Sequence, residues 1–213
     1  QDAPVCGDIV LDLQDAGVCR VPVELQAGEE RIVSVTPEQA ANLHVENPRV
    51  WWSLDLGTPE LYDLNVAVET EGAVSDKRDV TFGIREITSR LNEHGYRQFT
   101  LNGKDILLKG AGWTDDIFLR DTPESIDQQL HYVMDMNMNC VRFENIWGKD
   151  DTVYDLCDKY GLLALVGWSC QWEWESYCGI PEIPHVGCIY EPKEIDLAAR
   201  YFEDQVIRLH NHP

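Results

Sequence analysis

Three short stretches concentrate side chains able to hold a ligand: Lys109–Asp116 (KGAGWTDD), Val141–Asn145 (VRFEN) and Gly167–Glu175 (GWSCQWEWE). The last spends three of the chain's seven tryptophans within nine residues, beside two glutamates. Each stretch offers an aromatic face or a hydrogen-bonding charge. That combination suits a sugar, whose C–H face stacks on a ring while its hydroxyls need fixed donors and acceptors. Arg142 and Glu144 stand two apart, and alternate residues of a strand point the same way, so both can reach one pocket. Trp113, Asp116 and Trp168 complete the set of candidate substrate-binding residues.

Each feature also has a purely structural reading. Arg142 and Glu144 can pair with each other inside a sheet, and a tryptophan after a strand commonly plugs a core. Cys170, Cys178, His185 and Cys188 hint at zinc, but their spacing matches none of the usual paired-ligand patterns, so no metal is expected and a loop disulfide is the better reading. The remaining histidines form no i, i+4 carboxylate-bearing motif, and no serine stands in a G-x-S-x-G frame. Serine hydrolase and zincin chemistry are unsupported.

The elements that must position these residues come in two textures. From Val5 to about Arg85 apolar residues alternate in short runs (Ile9, Leu11, Leu13; Val21, Val23, Leu25; Leu64, Val66, Val68), the pattern of a β-sandwich. Five or six strands are countable where about seven are usual, so the sandwich is expected to be incomplete at its N-terminus. Pro59 belongs in a turn. After Arg85, Asn102-Gly103 between two apolar runs predicts a hairpin. Thr122, Pro123 and Glu124 then open a helix carrying Ile126, Leu130, Val133 and Met134 at helical spacing. A strand over Cys140, Val141 and Phe143 follows. A second helix, capped by Asp150 or Asp151 and ended by Gly161, leads to a strand from Leu162 to Val166 and a third helix from Ile195 to His210. This is the rhythm of parallel βα units, whose functional residues collect where strands end and loops begin. Three units cannot close an eight-stranded barrel. Either the sheet is small and open, or the chain stops partway through a larger domain.

Composition narrows the partners. The 213 residues carry a formal charge of −21, a potential that repels phosphate backbones and anionic lipids. Nucleic acid is a poor partner, whereas a cationic ligand fits; a surface shaped only for solubility explains the charge equally well. The longest unbroken apolar run, Gly161 to Trp168, falls far short of the ~20 residues of a membrane helix, so no membrane partner is expected. Gln1 opens without a basic n-region or an apolar h-region, so a secretory leader is expected to be either absent or already outside this chain. Seven cysteines, an odd count at irregular intervals, do not form a disulfide framework.

The motifs together resemble glycoside hydrolase family 2, which includes β-galactosidases, β-glucuronidases, β-mannosidases and exo-β-glucosaminidases. NPRVWW followed by PELYDLNVAV resembles the signature of that family's immunoglobulin-like sandwich. FGIREI and FTLNGKDILLKGAGW resemble the crossing into its catalytic barrel. MNMNCVRFE, DTVYDLCDKYGLLAL and RLHNHP resemble successive barrel segments. Within the family, KGAGWTDDIFLR, VRFE and GWSCQWEWE are most similar to the exo-β-D-glucosaminidases, with the β-mannosidase branch next. Ser169 and Asn145 depart from that branch, which usually has Glu and Gly there. The resemblance implies an immunoglobulin-like β-sandwich over residues 1–86, then the first three βα units of a (β/α)8 barrel over residues 87–213. It implies a retaining exo-β-glycosidase acting on chitosan oligosaccharides, without a cofactor, with Glu144 recognising the C2 amine of glucosamine. The alternatives are a β-mannosidase or another family 2 specificity, or a non-catalytic carbohydrate-binding module if the chain naturally ends at Pro213. In the family the general acid follows the fourth barrel strand and the nucleophile ends the seventh. Both are expected beyond Pro213, so no residue here is assigned as catalytic and the fragment alone is expected to be inactive. Its partners would be the oligosaccharide and the remainder of its own barrel, in a secreted or periplasmic setting.

Overall fold

The computed structural model describes residues 2–114, 116–118, 120–144, 150–168, 187 and 189–213. The chain divides into two compact units, one of Gln1–Val50 with Leu61–Ile84, the other of Trp51–Glu60 with Arg85–Pro213.

The first unit is an antiparallel sheet of β1 (Val5–Leu13), β2 (Gly17–Leu25), β3 (Tyr62–Thr70) and β4 (Ala73–Phe82), in the order β2-β1-β3-β4. Glu71 and Gly72, both at positive φ (53° and 78°), make the tight turn between β3 and β4, matching the twist of the flanking strands. The alternation read from the sequence becomes one apolar face: Leu11 and Val21 are buried, with Ile9, Leu64 and Val66 packed around them. The sheet is consistent with the β-sandwich expected from the sequence. Among the described residues the covering layer is the segment containing Val35, Ala40 and Leu43, with one 3₁₀ turn at Ala41–Leu43. Buried Asn42 ties it down, its amide donating to Leu11 O at 2.9 Å and Gly17 O at 2.7 Å.

The second unit begins with an antiparallel sheet of β5 (Ile87–Leu91), β6 (Arg97–Leu101) and β7 (Lys104–Ile106). Asn102 and Gly103 form the β6–β7 turn at φ 47° and 78°, as their identities require. Then β8 (Gly110–Trp113), α1 (Pro123–Asp135), β9 (Cys140–Phe143), α2 (Thr152–Tyr160), β10 (Leu163–Val166) and α3 (Pro192–Leu209) follow in turn. The three strands are parallel, in the order β10-β9-β8. Thr122 caps α1 reciprocally with Ser125, and Pro123 fills the first helical position. Asp151 occupies the N-cap of α2 without a capping bond; the Asp150 carboxylate instead accepts the Thr152 N–H at 3.0 Å. Ile126 and Leu130 of α1 and Val153, Tyr154 and Cys157 of α2 bury against Trp113, Val141, Phe143 and Leu162. Cys140 and Cys157 are free thiols, and burial pushes both up from the ordinary thiol value.

Trp51–Glu60, which the sequence reading places with the sandwich, packs in the second unit. Its polar contacts explain why. Trp51 is fully buried and its Nε1 donates to Asp158 O at 2.7 Å, at the end of α2. Leu54 N donates to Gly161 O at 2.9 Å; a side chain at 161 would meet Leu54 N at 2.7 Å, so glycine is needed for this approach as well as for its φ of 72°. Asn139, with no exposed surface, lies at the middle of the bolt. Its Oδ1 accepts the Lys109 N–H at 2.8 Å, and its Nδ2 donates to Asp55 at 2.8 Å and to Leu107 O at 3.0 Å. Burial opposes ionisation of Asp55, but hydrogen bonds from Ser53 and Asn139 outweigh it and hold the carboxyl below its ordinary value.

Asn139→Ala would strand the Lys109 N–H, the Leu107 carbonyl and part of the Asp55 carboxylate at once, all of them in part-buried hydrogen bonds, so a loss of about 2–4 kcal/mol is expected. Urea denaturation checks this, and a loss under about 0.5 kcal/mol would show that the bolt carries little.

Candidate functional site

The C-terminal ends of β8, β9 and β10 bring the described residues that follow them, Thr114, Glu144 and Gly167 with Trp168, to one edge of the parallel sheet. Val141 and Phe143 face the helices, so Arg142 between them projects from the opposite face. Its lateral neighbours are Gly112 on β8 and Leu165 on β10. Among the described residues, Gly112 and its two chain neighbours aside, no heavy atom lies within 4 Å of where a Cβ at Gly112 would sit, and Leu165 is 42% exposed, so the space beside Arg142 is open there. Glu144, one residue past β9, is exposed. Among the described residues neither the Arg142 guanidinium nor the Glu144 carboxylate makes a hydrogen bond or ion pair. The structural pairing allowed by the sequence is therefore not formed between them.

The other candidates divide. Trp113 is only 9% exposed and packs in the helix-facing core, its ring 5.9 Å from Phe143. This corrects the expectation of an open stacking face: the lateral pairing of Trp113 with Phe143 puts its side chain on the buried side of the sheet. Its indole Nε1 is buried and has no hydrogen-bond partner among the described residues. The Asp116 carboxylate is used in its own loop, accepting the Phe118 N–H at 2.9 Å and the Arg120 N–H at 3.3 Å, while Asp116 N donates to Asp121 at 2.9 Å. Trp168 follows β10 and is half-buried, edge-on to Phe202 of α3 at 5.8 Å and packed on Ala198. Asp115, Asn145, Ser169, Cys170, Trp172, Glu173, Glu175, Cys178, His185 and Cys188 lie outside the described residues.

Sequence reasoning passed over Gly167, which holds the loop after β10 against β9. Its N–H donates to Phe143 O at 3.0 Å, and a Cβ there would stand 2.4 Å from Glu144 O. It also passed over a cluster elsewhere in this unit. Ligand-type atoms of Asp155, Asp158 and His212 lie within 4.8 Å of one another, a spacing a cation could bridge. His212 Nδ1 and Asp158 Oδ2 already meet at 2.6 Å, and a second pair, Arg208 with Asp151 at 2.7 Å, joins the same two segments. Burial disfavours the charged imidazole, yet the hydrogen bond and charge of Asp158, aided by Asp155 and Asp151, hold its pKa above the ordinary value.

Residues 11–85 match Glycosyl hydrolases family 2, and the match ends where the first unit ends. An exo-β-D-glucosaminidase of Streptomyces avermitilis is 39% identical over 157 residues, covering 74% of this chain and 17% of that protein. The crystal structure of the Amycolatopsis orientalis exo-chitosanase CsxA superimposes with a TM-score of 0.81 at 28% identity, covering all of this chain and 24% of the other. A β-mannosidase B of Aspergillus oryzae is 27% identical over 198 residues, 86% of this chain and 21% of that protein. The chain thus spans about a fifth of the length of these relatives.

The raised imidazole value gives His212 a stabilising contribution that is complete below its unfolded value near 6.5 and lost as pH rises through the folded value. The stability gap between wild type and His212→Gln should therefore be widest near pH 6 and shrink above it. A gap constant from about pH 6 to pH 9 in denaturant titrations would remove the charged pair as its source.

Proposed function

Because residues 11–85 match Glycosyl hydrolases family 2, we propose that the chain is part of a retaining exo-β-glycosidase that releases glucosamine from chitosan-type oligosaccharides. The likeness in sequence and fold to exo-β-D-glucosaminidases carries this reading. In it, the parallel β8, β9 and β10 with their helices are the first three units of a (β/α)8 barrel, whose active face collects the C-terminal strand ends.

Retaining hydrolysis needs two carboxyl groups about 5–5.5 Å apart, one acting as acid and base and one as nucleophile. We assign both to the part of the relatives' length that this chain does not span, and neither to Glu144. Glu144 instead supplies specificity. An exposed carboxylate with no described partner suits a glucosamine ammonium, a charge-assisted contact that a neutral hydroxyl cannot replace. Arg142, beside the open space at Gly112, would donate to sugar oxygens, and Trp168 would wall the pocket. The charge of −21 favours the approach of a cationic polymer. Nucleic acid and membranes have no place in this reading; a polymeric substrate places the enzyme in a secreted or periplasmic setting.

The β-mannosidase likeness gives the second reading, a neutral sugar in the same pocket. Reporter β-glucosaminides, β-mannosides and β-galactosides assayed with the native protein separate the two. Glucosaminide should be preferred, and Glu144→Gln should lower kcat/KM for it by about 100-fold while leaving the fold intact. Preference for an uncharged sugar in the wild type would sink the amine reading.

A further inference from the structure

From the contacts of Gly167 we infer that this glycine is a positioning residue for Glu144, and so sets the preference for an amine over a hydroxyl at the substrate's C2. The inference rests on the amine reading of Glu144 proposed above.

The geometry leaves little room for another outcome. At residue 167 the backbone runs flush against the end of β9, with its N–H bonded to Phe143 O at 3.0 Å. A methyl group there would lie 2.4 Å from Glu144 O, 2.7 Å from Phe143 O and 3.0 Å from Glu144 C. All three are backbone atoms, so no side-chain rotation relieves the contact. The φ of Gly167 is not positive, and the restriction comes from space alone.

Something would have to yield, and two of the three possibilities are held. Phe143 is 3% exposed, paired in the sheet with Trp113 and Val166, and its ring meets Tyr154 edge-on at 5.6 Å. On the other side Trp168 is anchored on α3 through Phe202 and Ala198. Glu144 is exposed, lies beyond the last paired residue of β9, and makes no described side-chain contact. The added methyl, closest to Glu144 O, is therefore relieved by a backbone shift at Glu144, which carries the Glu144 carboxylate with it. A displacement of about 1 Å is enough to cost a charge-assisted contact up to about 100-fold in rate.

Gly167→Ala in the native protein tests this, with β-glucosaminide and the matching neutral β-glucoside assayed side by side. The glucosaminide kcat/KM should fall about 10- to 100-fold and the neutral one less than about 3-fold, so the ratio between them drops. Equal losses on both substrates, or an unchanged ratio, would overturn the assignment. Glu144→Gln measured in parallel keeps the two ideas apart. If that variant retains the amine preference, the reading of Glu144 fails; if it loses the preference while Gly167→Ala keeps it, only the positioning role fails. Should Gly167→Ala not fold, Phe202→Ala loosens the anchor of Trp168 and lets residue 167 drift from Glu144. The same ratio should then fall, and an unchanged ratio counts against the inference.

Discussion

The parallel-sheet unit depends on one buried amide. Asn139 precedes β9 by a single residue, and its side chain reaches the segment before β8 through Lys109 and Leu107 and the Trp51–Glu60 segment through Asp55. A backbone amide bond from Asn139 to Lys109 O at 2.9 Å runs alongside, and Leu163 N returns to Asn139 O at 2.8 Å. One residue thus sets where β8, β9 and β10 all begin. Asn139 itself is fully buried and its side-chain bonds are part-buried, and in such surroundings a partly satisfied network costs more than no network. Trp51 works in the same direction from the end of α2, filling space and donating to the Asp158 carbonyl.

Fixing the starts of the strands fixes their ends, because each strand is only four residues long. Close packing at the helix-facing side makes that transfer stiff: Phe143 touches Trp113 and Tyr154 in tilted and edge-on ring contacts. Glycines do the rest. Gly110 sits where a Cβ would meet Cys140 O at 2.2 Å, near the start of β9, and Gly167 closes on the other end of the strand. The strand that carries Arg142 and Glu144 is therefore gripped at both ends by backbone that tolerates no side chain.

Much of this was legible in the sequence, and the failures share a cause. The alternation of Leu64, Val66 and Val68, the Asn102-Gly103 turn, the Thr122-Pro123 helix start and the Gly161 stop each depend on neighbours within a few residues. Local rules could read them. Trp51 was placed with the wrong neighbours because its partner, Asp158, is 107 residues away. Trp113 was taken for an open ring face because which side it shares is settled by its lateral pairing with Phe143, and pairing register is not a local property. As for Gly167, a sequence shows that a glycine is present and not which carbonyl lies against it.

The carboxylates of this unit show what separates a structural acid from one available to a ligand. Asp55 is held by Ser53 and Asn139, Asp116 by the amides of its own loop, and Asp158 by His212. In each case nearby donors are bonded to the carboxylate, although burial still holds Asp158 above its ordinary value, and the residue's work is finished inside the fold. Glu144 has none of these arrangements among the described residues, and it stands at the end of the strand whose position is most tightly determined. A rigid mount under an unspent charge is what selective recognition of a small cationic group requires, since flexibility would let a neutral sugar bind almost as well. The glutamates of GWSCQWEWE are more conspicuous in the sequence, but Glu144 is the carboxylate that stands on this strand end without a partner among the described residues.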